Sequence, residues 1–127
     1  MKAYDDLSAF KVYLSDVGLL RELSGLPSEI IFLGNGAYTE FKGAIAENYV
    51  LQSLVPQYDI LPRYWTSIGK AEVDFVIQSG SEIIPVEVKA QTRLGGKSLS
   101  VYDANYHPAC KLRYSLNNLK QDGTLIN

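Results

Sequence analysis

The chain has 127 residues, 46% of them hydrophobic, which suits one globular domain with a core of its own. No apolar run approaches the roughly 20 residues of a membrane span, and the N-terminus lacks the apolar stretch of a signal peptide, so we expect neither membrane insertion nor secretion. The net charge of −2 excludes a strong overall attraction to nucleic acid. From the length we expect one domain over residues 1–127. The single cysteine excludes an internal disulfide, and we therefore expect the protein in the reducing cytoplasm.

The first half of the chain carries the signals of one short strand and two helices. Alternating apolar and polar residues favour a strand, capping residues mark a helix start, and Gly or Pro marks a helix end. In chain order the predicted elements are a strand over Phe10–Leu14, a helix over Gly18–Leu23 capped by Ser15 or Asp16 and stopped by Gly25 and Pro27, an ambiguous apolar stretch at Ile30–Leu33, and a long helix from about Tyr38 to Leu54 that Pro56 ends.

The second half alternates apolar and polar residues in several short runs, which is typical of strands. In chain order the predicted elements are strands near Ile60–Thr66, Glu72–Gln78 and Ile83–Lys89, a polar loop over Gln91–Lys97, a short helix over Ser98–Tyr106, a strand over Lys111–Leu116, and a last strand at Leu125–Ile126 after a turn at Gly123. The core order of helix, three strands, helix and strand predicts an α/β fold in which helices flank a mixed central sheet. A short strand and a short helix precede this core at the N-terminus.

Two neighbouring strands carry facing acidic residues. A two-residue hairpin loop at Gly80-Ser81, with glycine first as a type II′ turn favours, pairs residues whose numbers sum to 161. Asp74 then lies directly opposite Glu87, with Cβ atoms about 4.5–5.5 Å apart, and Lys89 shares their face. Because facing carboxylates repel, a divalent metal ion between them would relieve the conflict. A loop one residue longer or shorter would put the two acids on opposite faces of the sheet.

A third acidic residue, Glu47, lies on the inward stripe of the predicted long helix. Val50 and Leu54 follow it by three and seven residues and share its face. A buried carboxylate costs free energy unless it is paired or binds a metal ion. The sequence leaves three possibilities open: a salt bridge, for example with Lys42, a position at the rim where the carboxylate reaches water, or membership of a site with Asp74 and Glu87.

These residues resemble a known pattern. A Glu on a helix, an Asp on a strand and Glu-x-Lys on the next strand are similar to the PD-(D/E)xK nuclease superfamily, which has the restriction-endonuclease-like fold. More narrowly, the chain resembles the domain of unknown function 4143 family, the C-terminal domain of prokaryotic AAA-type ATPases. Five stretches carry this resemblance in the family's order: Lys11–Leu20, Gly43–Val50, Tyr64–Ser67, Ala71–Val76 and Ile84–Lys89.

The resemblance implies a role for each residue of the motif. Asp74 and Glu87 would be carboxylate ligands of Mg²⁺ or Mn²⁺, and the Val88 carbonyl would be a further oxygen ligand. Glu47 would complete or orient this metal site. Lys89 would position or activate the attacking water and stabilise charge on the scissile phosphate. The resemblance also implies that the chain is the C-terminal part of a longer protein, with an N-terminal ATPase domain as its partner.

Two functions from different classes follow from these residues. The first is metal-dependent phosphodiester hydrolysis in DNA or RNA, and the second is a non-catalytic nuclease-like module that binds nucleic acid or a partner. An open cleft lined by Lys89 between Asp74 and Glu87 would favour catalysis, whereas a Lys89 that turns away or a loop that fills the cleft would favour binding. A third, weaker possibility is that the acidic face only packs against the ATPase part.

The basic residues give a mixed indication about nucleic acid. Residues 88–121 carry six basic residues and one acidic residue, a net of +5, and this basic third could contact a phosphate backbone. Ordinary solvated lysines and arginines explain the same pattern. The sequence leaves the oligomeric state open, because no clear apolar stripe remains once the core is assigned.

Overall fold

The computed structural model describes residues 5–25, 27, 36–59, 61–90 and 96–127. Within these ranges the chain is mixed α/β, with three α-helices and a six-stranded mixed sheet, as predicted. The elements are α1 (Val17–Leu23), α2 (Gly36–Leu54), a 3₁₀ turn (Val55–Gln57), β1 (Arg63–Thr66), β2 (Glu72–Ser79), β3 (Glu82–Val88), α3 (Ser98–Tyr106), β4 (Lys111–Tyr114), β5 (Gln121–Asp122) and β6 (Leu125–Ile126). None of the helices in these ranges is long and apolar enough to cross a membrane.

The sheet has the strand order β1-β2-β3-β4-β6-β5. The first three strands form an antiparallel meander, β4 and β6 then add in parallel, and β5 pairs antiparallel with β6. Helix α3 connects β3 to its parallel neighbour β4, as a parallel crossover requires. Helix α2, β1–β3, α3 and β4 therefore follow the predicted order of helix, three strands, helix and strand.

The β2–β3 hairpin has the predicted register. Its outer pair is Ser79 with Glu82 and its innermost ladder pair is Phe75 with Val86, and both pairs sum to 161. Gly80 has φ of +61°, while the only described non-glycine residues with positive φ lie outside this turn. A positive φ at the first loop residue alone is the signature of a type II′ turn, so the turn chemistry predicted the pairing correctly.

Strand β2 carries an extra residue opposite β1. Arg63 of β1 pairs with Val76 of β2. Two residues further along β1, Trp65 pairs with Val73, which is three residues back along β2. This β-bulge falls in the stretch that holds Asp74. The bulge interrupts the alternation of side chains along β2. As a result, Val73 and Val76 pack into the same half of the core although they are three residues apart. Bulges of this kind re-aim a side chain and are common beside functional sites.

The core has one half on the α2 side of the sheet and one on the α3 side. Each fully buried aliphatic or aromatic side chain contributes about 1.5–3 kcal/mol to folding. The α2 half contains Val50, Leu54, Phe75, Ile77 and Val86, and the α3 half contains Val73, Val76, Leu99 and Tyr102. Because Val50 and Leu54 face the sheet, the same stripe of α2 carries Glu47 toward it.

The predicted strand at Phe10–Leu14 is wrong, because this segment forms no strand. Its backbone is held by a side chain of α2 instead: the Leu14 N–H donates to Asn48 Oδ1 at 2.9 Å, and Asn48 Nδ2 donates to the Leu14 carbonyl at 3.1 Å. The alternation that suggested a strand is present but inverted. Phe10 and Val12 are nearly 80% exposed (78% and 79%), whereas Tyr13 packs against the core.

The remaining boundaries differ from the predictions by a few residues. Asp16 is the cap of α1, since its carboxylate accepts hydrogen bonds from the N–H groups of Gly18 and Leu19. Helix α2 already includes Gly36, β1 and β4 are shorter than predicted, and the two-residue strand β5 was not predicted because both of its residues are polar and exposed. The apolar stretch Ile30–Leu33 lies outside the described residues.

Candidate functional site

The candidate site lies where the β2–β3 ladder ends. The hairpin register, extended by one pair beyond Phe75 and Val86, brings Asp74 level with Glu87. The Asp74 carboxylate accepts a hydrogen bond of 2.7 Å from the Val88 N–H. Beyond the last ladder pair, this side-chain hydrogen bond connects β2 to β3 in place of a backbone hydrogen bond. It links Asp74 to the strand that carries the Glu-x-Lys sequence.

Asp74 has the most perturbed carboxylate of the site. Burial raises the pKa of Asp74 to about 6, against an ordinary value of 3.8. The hydrogen bond from Val88 and the charge of Lys11 lower this pKa, whereas the charges of Glu47 and then Glu87 raise it. Glu47 and Glu87 are therefore both close enough to Asp74 for their charges to act on it, and its nearby donor and cation do not fully offset the cost of its ionised form.

Glu47 reaches this site from α2 and meets a tyrosine there. The Tyr13 hydroxyl donates to Glu47 Oε2 at 3.3 Å. Burial, followed by the charge of Glu47, raises the pKa of Tyr13 well above its usual value, so Tyr13 stays a protonated donor. In the described part of the chain, Glu47 forms no ion pair with Lys42. Its side chain is partly exposed beside Tyr13, so a position at the rim and membership of the site both agree with the structure.

Glu87 differs from Asp74 because cations hold both of its oxygens. Its side chain is only 3% exposed. Arg113 Nε donates to Glu87 Oε2 at 2.9 Å, and Lys89 Nζ lies 3.2 Å from Glu87 Oε1. Carboxylates this deeply buried in proteins are normally paired with cations or hydrogen-bonded. Glu87 is thus the shared anchor of two cations.

Lys89 stays at the site, and the chain at Gly96 comes close to it. A Cβ atom added to Gly96 would lie 3.2 Å from Lys89 Nζ and 3.5 Å from Glu87 Oε1. Gly96 also has φ of +139°, a conformation that side chains rarely adopt. The two criteria for the cleft therefore give a mixed result, because Lys89 does not turn away, yet the chain at Gly96 comes so close that a side chain there would crowd the Lys89 ammonium.

Three residues around the site were not predicted. Lys11 forms an ion pair with Glu72 and lies 5.0 Å from the ring centroid of Tyr64. Tyr13 and Arg113 contact Glu47 and Glu87 as described above. Arg113 is the register partner of Glu87 across the parallel β3–β4 pair. An arginine flanked by apolar residues on a predicted strand was the available signal, but the sequence does not reveal which strand it pairs with.

The donor set can be compared with the needs of Mg²⁺ or Mn²⁺. No three acidic, histidine or cysteine side chains within the described ranges converge closely enough to enclose a metal ion. Mg²⁺ does not require such a cage, since it binds through one or two carboxylates and keeps several waters. Asp74 and Glu47 fit this requirement, because the charge of Glu47 raises the pKa of Asp74 and a cation between the two carboxylates would offset that repulsion. Glu87 fits less well, since Lys89 and Arg113 already offset its charge and would repel a metal ion beside it.

Comparison with known proteins gives one match. The family described as Domain of unknown function (DUF4143) matches residues 42–125, roughly two thirds of the chain. No curated protein and no solved structure matches the chain. The matched range includes the acidic residues of the site and ends within β6, but it starts after the segment that holds Lys11 and Tyr13. The chain belongs to the DUF4143 family, the domain of unknown function that its sequence resembles.

Proposed function

We propose that the domain is nuclease-like and hydrolyses phosphodiester bonds in DNA or RNA with Mg²⁺ or Mn²⁺. The observation that carries this proposal is the environment of Asp74, a partly buried carboxylate whose pKa is raised to about 6 beside two other acids. We also propose that the fold is restriction-endonuclease-like. The order of helix, three strands, helix and strand around a mixed sheet supports that finer assignment.

The acidic residues are suited to hold a cation. Ionised Asp74 lies near the charges of Glu47 and Glu87, and a divalent cation would offset their repulsion. Asp74 and Glu47 would supply carboxylate oxygens, with the Val88 carbonyl as a third oxygen donor. When bound, the cation would supply Lewis acidity and lower the pKa of a bound water.

The remaining residues would orient and neutralise a phosphodiester. Lys89 is 29% exposed and is held 3.2 Å from Glu87, so its ammonium is fixed at the site yet can reach a phosphate oxygen. A positive charge held in place is most effective where negative charge develops in the transition state. Arg113 donates to the other Glu87 oxygen, so the Glu87 carboxylate would stay in place if Lys89 moved toward a phosphate. Glu87 would act mainly as the anchor of Lys89 and would be the weakest of the three carboxylate ligands.

A second candidate is a non-catalytic module that binds nucleic acid or a partner protein. The specific observation in its favour is the full engagement of Glu87 by Arg113 and Lys89, with Gly96 packed against the pair. The basic third of the chain supports nucleic acid binding only weakly. Lys89, Lys111 and Arg113, three of its six basic residues, already pair with carboxylates.

The proposed protein partner is an AAA-type ATPase domain that precedes this domain in the same cytoplasmic chain. The resemblance is the basis for this partner. Exposed apolar side chains in the N-terminal part offer a contact surface of the right character, since Phe10, Val12 and Leu23 are each more than 70% exposed (78%, 79% and 74%).

Metal titration tests the proposed function most directly. Mn²⁺ is titrated calorimetrically into the parent chain, into Asp74→Asn, and into Glu82→Gln, a control that removes an exposed acid at the other end of the same hairpin. We expect the parent and Glu82→Gln to bind with similar affinity. Asp74→Asn should bind at least about tenfold more weakly. Cleavage of labelled DNA and RNA is then followed with Mn²⁺ and with EDTA.

The outcomes separate the two candidate functions. Metal binding that depends on Asp74, together with EDTA-sensitive cleavage that Asp74→Asn loses, would support a nuclease. Absence of metal binding in the parent would refute the catalytic proposal. Retention of nucleic acid in EDTA, measured by fluorescence anisotropy, would then favour the non-catalytic module.

A further inference from the structure

The segment over residues 10–17, here called the N-terminal clasp, is fastened to α2 by side chains. Both backbone groups of Leu14 hydrogen-bond to Asn48, which is only 2% exposed. The Val17 N–H donates to Gln52 Oε1 at 3.0 Å. Asn48 and Gln52 are four residues apart and therefore lie on one face of the helix. These contacts fix the clasp to the helix that carries Glu47.

Tyr13 occupies the middle of the clasp and turns toward the site. Its ring lies 5.7 Å from the ring of Phe75, centroid to centroid, and packs against the α2 half of the core. Phe75 directly follows Asp74 in β2. With the ring held in this way, the hydroxyl donates to Glu47 at 3.3 Å. A rigid donor with few degrees of freedom can orient a flexible carboxylate at small entropic cost.

We propose that Tyr13 is a positioning residue of the acidic site, which holds the Glu47 carboxylate beside Asp74. This inference deepens the proposed function and rests on it. Without the hydroxyl, Glu47 could rotate away from Asp74 to relieve their repulsion. Lys11, two residues earlier, pairs with Glu72 on the same strand as Asp74, so the clasp brings a hydrogen-bond donor and a cation to the acids from one side.

The inference places a residue of the site outside the range that the family model matches. That match begins at residue 42, and Tyr13 lies well before it. A domain trimmed to the matched range would keep every acidic residue of the motif but would lose the donor that orients Glu47. The clasp would therefore belong to the site, although it lies outside the matched range.

The test is a double-mutant cycle in the full 127-residue chain. The variants are Tyr13→Phe, which removes only the hydroxyl, Glu47→Ala, which removes the acceptor of its hydrogen bond, and the two combined. Tyr58→Phe is the matched control, since Tyr58 packs against the same half of the core. Two quantities are measured: Mn²⁺ affinity by calorimetry, and the melting temperature without metal.

We expect Tyr13→Phe to weaken Mn²⁺ binding about tenfold, while Tyr58→Phe leaves it unchanged. In the Glu47→Ala background, loss of the hydroxyl should weaken binding no further, whereas a general structural defect would persist there. Without metal, the double variant should lose less in melting temperature than the sum of the single variants, by at least about 2 °C.

Two results would overturn the inference. Unchanged Mn²⁺ affinity in Tyr13→Phe, beside lost affinity in Asp74→Asn, would refute the role of Tyr13 and leave the metal site standing. If the parent binds no Mn²⁺, the proposed function fails and the melting temperatures decide the remaining point. Additive losses then refute the holding of Glu47 by Tyr13, and non-additive losses support it.

Discussion

Replacing Asp74 with asparagine should stabilise the folded domain at neutral pH. Folding raises the pKa of this carboxyl from 3.8 to about 6, mainly through burial and in smaller part through the charges of Glu47 and Glu87. The folded state therefore binds a proton more tightly than the unfolded chain does. Between pH 4 and pH 6 the contribution of Asp74 to the free energy of unfolding therefore falls as the pH rises, and above pH 6 the whole penalty of its ionised form is present.

The size of this effect follows from the shift in pKa. A shift of roughly two units corresponds to about 3 kcal/mol, at 1.36 kcal/mol per unit. Asparagine carries no charge, and its carbonyl oxygen can still accept the hydrogen bond from the Val88 N–H. Asp74→Asn should therefore gain up to about 3 kcal/mol at pH 7, and the gain should shrink toward zero near pH 4.

Urea unfolding in EDTA at pH 4 and pH 7 measures this difference without metal. The control is Asp103→Asn, which removes a partly exposed carboxylate paired with Lys111. We expect the control to lose about 0–1 kcal/mol. A variant at Asp74 that is no more stable than the parent at pH 7 would refute the reasoning. A gain of equal size at both pH values would also refute it, because the effect would not then come from ionisation.

Three further substitutions test neighbouring parts of the fold. Glu87→Gln should lose about 3 kcal/mol in urea unfolding, because it leaves Arg113 and Lys89 without their anchor; an equal or higher stability would contradict the anchor role. Gly96→Ala should lose about 1 kcal/mol or more in the same measurement, through its positive φ and its contact with Lys89, and an unchanged midpoint would argue against both. Asp16→Ala should cost about 1 kcal/mol in thermal unfolding, while an unaffected melting temperature would show that the cap of α1 is dispensable.

The parts of the fold that local chemistry determines could be predicted from the sequence. Gly80-Ser81 sets the hairpin register because a two-residue loop with a leading glycine permits few backbone geometries. Helix α3 was predicted with its observed bounds, and Asp16 was one of two predicted caps for α1. In each case the residues that decide the structure lie within a few positions of one another.

The features that the sequence left undetermined depend on distant contacts. The Phe10–Leu14 segment has the alternation of a strand, but a single buried amide on α2 holds its backbone in place of a neighbouring strand. The bulge in β2 becomes visible only once β1 is paired with it. Likewise, Arg113 reaches Glu87 because β4 adds in parallel to β3, and no local signal specifies that register.

Asp74 and Glu87 show how two acids of one short motif can differ in energetic role. Glu87 is more buried, yet Arg113 and Lys89 compensate its charge, so its removal should destabilise the fold. Asp74 accepts one backbone hydrogen bond and is repelled by Glu47, so neutralising it should stabilise the fold. A bound cation would have the same stabilising effect on Asp74 that asparagine has. The stability measured without metal would therefore identify the carboxylate whose charge is least compensated, and our proposal is that this carboxylate, Asp74, is the one that binds a cation.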